Sequence, residues 1–246
     1  MDILRIFYKA TSLDTSTKFP YLIFVFAFYL LMTPLNAQQK TTLIFENKAE
    51  AIEYLPKNFS PEKKYPLIIA LHGMAQTSNS AFEKWKPVAD DLNAILLCPK
   101  GSDFNQGYTR TPIDDRKIFV DLFNTMKKKY KIDESKSVLA GFSRGGNFAI
   151  ETGILYPETF KNIICIFGFF NKGIENEIDN SNYDLSNFYF ITGNNDLTQK
   201  SLIYGKKQLD QNGIRTYLKT SSTIIHAYPP NFVPTIKDIT EWFHEK

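Results

Sequence analysis

The chain has 246 residues, 43% of them apolar and 22% charged, and a formal net charge of +3. That length and balance suit one globular domain with a real core and exclude a disordered or low-complexity chain. The sequence holds no basic block interleaved with aromatics and no acidic tail, so nothing in it supports a nucleic-acid partner.

The first segment reads as separate from the fold. Residues 1–18 carry Arg5, Lys9 and Lys18, an apolar run extends from Phe19 to Met32, and Pro34-Leu35-Asn36-Ala37 follows. A charged start, an apolar middle and a small residue at the cut are the order of a secretory signal peptide, here removed after Ala37. The run is shorter than the ~20 apolar residues of a membrane-spanning helix. Leu35 is bulky for its place three residues before the cut, so an uncleaved N-terminal anchor stays open as the one membrane link. The expectation is an exported protein, extracellular or periplasmic, whose working domain is residues 38–246.

Apolar, strand-like runs then fall at 41–46, 50–55, 67–71, 94–98, 137–142, 162–167, 188–192 and 215–220. Helical stretches separate most of the later ones. Over 115–130, Ile118, Phe119, Leu122, Phe123, Met126 and Tyr130 recur at three- and four-residue steps. Lys127-Lys128-Lys129 falls on the polar face of that helix and reads as a solvated surface. A small-residue helix runs from about Gly146 to Tyr156 and stops at Pro157. Another ends at Gly213, a natural C-terminal cap, and the last opens at Pro234. Continuous apolar strands alternating with helices predict an α/β fold: an open, mostly parallel, eight-stranded sheet with helices on both faces. Cys98 and Cys165 lie inside apolar strands, where cysteine behaves as a small apolar residue, so two buried free thiols are expected.

The most informative stretch is Gly141-Phe142-Ser143-Arg144-Gly145, between a strand and a helix. A Gly-x-Ser-x-Gly turn there is sharp enough to strain the serine backbone and push its hydroxyl above the sheet edge. Both glycines are needed because a side chain would strike the neighbouring strand or helix. Such a serine needs a base, and the base needs an orienting acid. His226, between the last strand and the last helix, returns to the edge where Ser143 is exposed. His72 ends the strand at 67–71, and His244 sits on a polar helix face near the C-terminus as a surface residue. Asp196 follows the strand-like run Phe188–Thr192 in Gly193-Asn194-Asn195-Asp196; on its own it reads as a turn aspartate. Asp179, Asp184 and Asp238 do not directly follow a strand and fit less well.

The order Ser143, Asp196, His226 resembles that of the α/β-hydrolases, across nearly all of residues 38–246. The likeness is to the branch of small carboxylesterases, phospholipase-type esterases and depolymerase-like esterases. Leu71-His72-Gly73-Met74 resembles the oxyanion strand of that family, Gly141–Gly146 its nucleophile elbow, Ile191–Asp196 its acid turn and Ile225–Pro229 its histidine loop. The resemblance implies an oxyanion hole made by the backbone N–H groups of Met74 and Arg144, with His72 structural. It also implies that the strands of Cys98 and Cys165 lie too far apart for a disulfide. Ile225 departs from the glycine that often precedes the family's histidine, which bears on the path of that loop.

On this resemblance the chain is a serine carboxylic-ester hydrolase that works through an acyl-enzyme and calls for no metal or cofactor. Its substrate is a small-molecule or polymer-borne ester. The segment 168–187 is too short for a helical cap domain, so the site is expected to be open above. Phe104, Tyr108 and Arg110 follow the Cys98 strand and are candidates to line an acyl or sugar pocket, as are Phe169 and Phe170. Packing of these residues under their own loops is an equal expectation. Two other classes stay open: a peptidase, since the same triad cleaves amides, and a non-catalytic binding module on the same fold.

Overall fold

The continuous apolar stretches cannot bury both their faces unless they pair side by side under helices, and that arrangement is what they adopt. The computed structural model describes residues 40–245 other than 46–47, 104, 106, 179–185, 195 and 223–224. Residues 1–37, the expected signal peptide, lie outside the described residues. The strands are β1 (Lys40–Ile44), β2 (Glu50–Tyr54), β3 (Leu67–Leu71), β4 (Ile95–Pro99), β5 (Val138–Phe142), β6 (Asn162–Ile166), β7 (Asn187–Gly193) and β8 (Arg215–Ser221). The helices are α1 (Ser78–Asp91), α2 (Asp115–Lys129), α3 (Arg144–Leu155), α4 (Gln199–Gln211) and α5 (Phe232–Trp242).

The sheet order is β1-β2-β4-β3-β5-β6-β7-β8. β1 and β2 are antiparallel to their neighbours, and β3 to β8 run parallel. Every residue of β3, β4, β5, β6 and β7 is buried, as strands covered on both faces must be. The edge strand β1 alternates between exposed and half-buried. On one face α2, α3 and α4 contribute Phe119, Leu122, Phe148, Ile150, Leu202 and Leu209 to a core. On the other, α1 and α5 contribute Phe82, Trp85, Phe232, Ile236 and Ile239.

Register decides where function can sit. Leu71 pairs with Gly141, Gly141 with Cys165 and Cys165 with Phe190, so β3, β5, β6 and β7 end level with one another. Their carboxyl ends release four loops along one edge, the place where open α/β sheets collect ligands.

Three elements differ from the sequence expectation. Helix α1 was not anticipated, because Pro87 lies inside it and its exposed face is strongly polar. It begins on Thr77, whose side chain accepts from the Ser80 N–H in a capping box. Helix α5 opens at Phe232, two residues before Pro234. Proline is tolerated there because first-turn N–H groups have no partner inside the helix. Helix α3 begins at Arg144 rather than Gly146, directly on the nucleophile candidate.

The lysine run ending α2 is engaged rather than only solvated. Lys129 binds the buried Glu53 carboxylate at 2.9 Å, and Lys127 meets Glu134 at 2.8 Å. Cys98 and Cys165 are free and buried, on β4 and β6 with β3 and β5 between. Three strand spacings set them about 14 Å apart, far beyond disulfide reach. Burial pushes the Cys98 thiol far up and the Cys165 thiol up to about 12, so neither is a nucleophile.

Candidate active site

The site starts from one strained residue. Ser143 has φ 51° and ψ −118°, a conformation that L-residues rarely adopt, between the last residue of β5 and the first of α3. Its N–H donates to the Ile166 carbonyl at 2.8 Å, and its carbonyl accepts from the Asn147 N–H at 3.2 Å. A Cβ on Gly141 would lie 2.1 Å from the Gly145 carbonyl oxygen, and a Cβ on Gly145 2.5 Å from that of His72. Only glycines let strand, turn and helix pass so closely, as the motif requires.

The three side chains predicted from the sequence come together. Ser143 Oγ lies 3.0 Å from His226 Nε2, and His226 Nδ1 lies 3.2 Å from Asp196 Oδ2. An ionised carboxylate only accepts hydrogen bonds, so Nδ1 carries the proton and Nε2 is left to accept from the serine hydroxyl. The imidazole is wedged between Phe142 and Phe167, each with its ring centroid 5.4 Å away. Tyr228 stacks on Phe142 at 4.6 Å and ties the far side of the histidine loop to the same wall.

His226 itself takes a positive φ of 33°, whereas Ile225 does not. The left-handed turn therefore falls on the histidine. This explains how Ile225, 86% exposed, stands where the family often has glycine.

Asp196 is held by more than the histidine. Its Oδ1 accepts from the Thr198 hydroxyl at 2.6 Å and the Thr198 N–H at 2.8 Å. The buried Thr198 hydroxyl also lies 3.0 Å from that of Thr192. Partial burial works against the charge on Asp196. The hydrogen bonds from Thr198 and His226 outweigh it and hold the carboxyl below the usual carboxylate range. Asp179 and Asp184 lie outside the described residues, and Asp238 sits within α5.

Of the residues expected to supply the oxyanion amides, Met74 follows β3 and Arg144 opens α3. Gly145 packs on the carbonyls of Leu71 and His72, so the start of α3 touches the end of β3. The Gly73 N–H is taken by Gln76 Oε1 at 2.9 Å, and the next residue, Met74, is 59% exposed. His72 is buried, and its Nδ1 lies 2.8 Å from the Gly73 carbonyl. Burial lowers its pKa, so the ring is neutral and donates that hydrogen bond.

The structure places the two candidates for the substrate pocket differently. Tyr108 is wholly buried, its hydroxyl between the His72 N–H and the Pro99 carbonyl. Its side chain therefore lies behind the site and cannot line a pocket. Arg110 lies over Phe148 at 4.6 Å and is paired with the buried Glu151, its Nε 2.8 Å from Oε2. Phe170 is core, Phe169 is 38% exposed, and Phe104 lies outside the described residues. Sequence reasoning missed Asn147 and Glu151, one and two turns beyond Ser143 on α3. Asn147 Oδ1 accepts from the Phe169 N–H at 2.5 Å, and Glu151 binds Arg110, Arg116 and Asn171. Their four-residue spacing from Ser143, on an otherwise small and apolar helix, was the available signal. Among the described residues no three His, Cys, Asp or Glu side chains are grouped to hold a metal.

A mostly parallel sheet with a serine elbow after β5, an aspartate after β7 and a histidine after β8 defines an α/β-hydrolase. The family model described as "Putative esterase" matches residues 44–173, a little over half of the chain, and the chain belongs to that esterase family. Among curated proteins it is 32% identical over 97 residues to a bifunctional acetylxylan esterase/xylanase of Neocallimastix patriciarum, covering 39% of this chain and 14% of that one. It is 28% identical over 123 residues to a poly(3-hydroxybutyrate) depolymerase of Ralstonia pickettii, covering 42% and 25%. The chain thus spans a quarter or less of the length of those two relatives. In fold it is similar to a fluorophosphonate-binding serine hydrolase of Staphylococcus aureus, with a TM-score of 0.67, 12% identity, and 84% and 98% of the two chains covered.

The glycine contacts yield a stability test. Gly145→Ala forces a Cβ against the backbone of β3, where neither side can yield easily. Overpacking of that kind costs about 1–3 kcal/mol, at about 2–4 °C of melting temperature per kcal/mol for a domain of this size. A thermal melt of Gly145→Ala is expected to fall by several degrees; an unchanged melt would contradict the contact.

Proposed function

We propose that this protein hydrolyses carboxylic esters with Ser143 as nucleophile, His226 as general base and acid, and Asp196 as the orienting acid. One observation carries it: the unbroken line from Ser143 Oγ to His226 Nε2 at 3.0 Å and from His226 Nδ1 to Asp196 Oδ2 at 3.2 Å. Membership in the esterase family supports the choice of ester over amide.

In this mechanism Ser143 Oγ attacks the acyl carbon as its proton passes to His226 Nε2. Asp196 stabilises the resulting imidazolium. The carbonyl oxygen becomes an oxyanion and takes hydrogen bonds from the Met74 and Arg144 N–H groups, each donor worth on the order of 10²–10³ in rate. The tetrahedral intermediate expels the alcohol, which leaves with the proton from His226, and the acyl group stays on the serine. Water then attacks with the same histidine as base, releasing the acid and restoring Ser143.

Hydrolysis of p-nitrophenyl butyrate by residues 38–246 tests this. Ser143→Ala is expected to abolish the activity, and Asp196→Asn to lower kcat by on the order of 10³–10⁴ through loss of the correct tautomer. Only the neutral imidazole can take the serine proton, so activity is expected to be lost as the pH falls. Asp196, held below the usual carboxylate range, keeps its charge to lower pH than an ordinary carboxylate. Equal rates for wild type and Ser143→Ala would overturn the assignment.

The apolar rim supports an acyl group larger than acetyl. Met74, Phe169, Leu197 and Ile225 are 59%, 38%, 87% and 86% exposed, Phe169 on the loop after β6 and the others on loops that carry the proposed site. Leu197 follows Asp196, and Ile225 precedes His226. Each methylene that such side chains cover is worth about 0.8 kcal/mol, so butyrate should exceed acetate in kcat/KM by on the order of 10-fold. Leu197→Ser together with Phe169→Ser is expected to shrink that ratio. A ratio unchanged by both substitutions would remove the rim from specificity.

Export is proposed on the residue order within 1–37 alone. Among the described residues no helix is long and apolar enough to cross a membrane. The expected mature protein begins at Gln38, which intact-mass measurement of the exported product would read. A product retaining Met1 would point to the anchor instead.

A further inference from the structure

An oxyanion hole works only if its two donors are fixed relative to each other, and here they stand on different elements. Met74 lies in the loop after β3, and Arg144 opens α3. Nothing local in the sequence sets one against the other. One buried residue bonds both Arg144 and His72, two residues before Met74, and it comes from a third place, the loop between β4 and α2.

Tyr108 reaches the first donor through His72. Its hydroxyl accepts from the His72 N–H at 3.0 Å and donates to the Pro99 carbonyl at 3.2 Å, joining the ends of β3 and β4. Its ring lies against the His72 imidazole at 4.6 Å. That imidazole in turn donates from Nδ1 to the Gly73 carbonyl at 2.8 Å. The Gly73 carbonyl and the Met74 N–H belong to one planar peptide group, so holding the oxygen aims the hydrogen.

Tyr108 reaches the second donor through its backbone. Its carbonyl accepts from Arg144 Nε at 2.9 Å and Arg144 Nη2 at 2.8 Å. Among the described residues the Arg144 guanidinium forms no ion pair; this two-point contact anchors it, with the Phe148 ring 5.5 Å away. The approach of Tyr108 is itself fixed by glycines. Gly107 has φ 83°, and a Cβ there would lie 3.0 Å from His72 Cε1; a Cβ on Gly101 would lie 1.7 Å from the Gly107 oxygen.

We infer that Tyr108 is the positioning residue of the oxyanion hole, acting through His72 on the Met74 amide and through its own carbonyl on Arg144. The inference rests on the serine-esterase function proposed above and adds to it a residue that never meets substrate. A tyrosine that merely fills the core would serve as well without its hydroxyl.

Tyr108→Phe keeps the ring and removes that hydroxyl. Rates are normalised to active sites titrated with a fluorophosphonate, so partial misfolding does not mimic the effect. The expected result is a fall in kcat on the order of 10-fold with KM nearly unchanged, less than the loss of a whole donor. An alkylboronic acid, whose serine adduct is tetrahedral, should lose affinity by the same factor. The pH dependence of the rate should match that of wild type, because the base is untouched. Arg144→Met keeps its N–H but removes the anchoring guanidinium; it should give the same signature, and it carries the test if Tyr108→Phe does not fold. Normalised kcat and boronate affinity within twofold of wild type in the folded variants would overturn the inference while leaving the esterase function intact. A wild-type protein that neither hydrolyses esters nor binds the boronate would overturn both.

Discussion

The hydrogen bond from the Ser143 N–H to the Ile166 carbonyl, 2.8 Å long, holds a backbone that would relax if left free. A residue at φ 51° and ψ −118° costs on the order of 1–3 kcal/mol and persists only where its surroundings over-determine it. Here they do so from three directions. β6 supplies the carbonyl, α3 returns the Asn147 N–H to the serine carbonyl, and Gly141 and Gly145 admit contacts no side chain would allow. The level ends of β3, β5 and β6 are the condition for all of this. A register slip in any of them would separate the turn from its partners.

The other site residues are arranged around that fixed point. His226 carries a left-handed φ of its own and is confined by Phe142 and Phe167, which follow or end the strands on either side of the turn. Asp196 is fixed on one oxygen by Thr198, which leaves the other for the imidazole. Beyond Ser143, α3 reaches outward through Asn147 and Glu151 to hold the loop after β6 and the loop before α2. The helix that begins next to Ser143 is thus also what organises the walls on both sides of it.

Much of this was legible in the sequence because it is written in local patterns. The apolar runs of the parallel strands needed no alternation to be recognised, since burial on both faces makes them continuous. The glycines of Gly141–Gly145 announced the elbow, and a chain with only three histidines left few choices of base. What could not be read depends on distant contacts or masked signals. Helix α1 is hidden by Pro87 and a polar outer face. Tyr108 has the composition of a pocket residue, and only its burial against His72 shows that it stands behind the site. Glu151 as a hub for Arg110, Arg116 and Asn171 joins loops 20 to 41 residues away in sequence, beyond the reach of any periodicity.

The central claim is that one serine is made nucleophilic by its turn and its histidine. Fluorophosphonate labelling of the folded chain, followed by peptide mapping, tests it most directly. One adduct per chain on the peptide that contains Ser143, with labelling strongly slowed in His226→Ala, is the expected result. An adduct on another residue, no adduct at all, or a rate indifferent to His226 would contradict it.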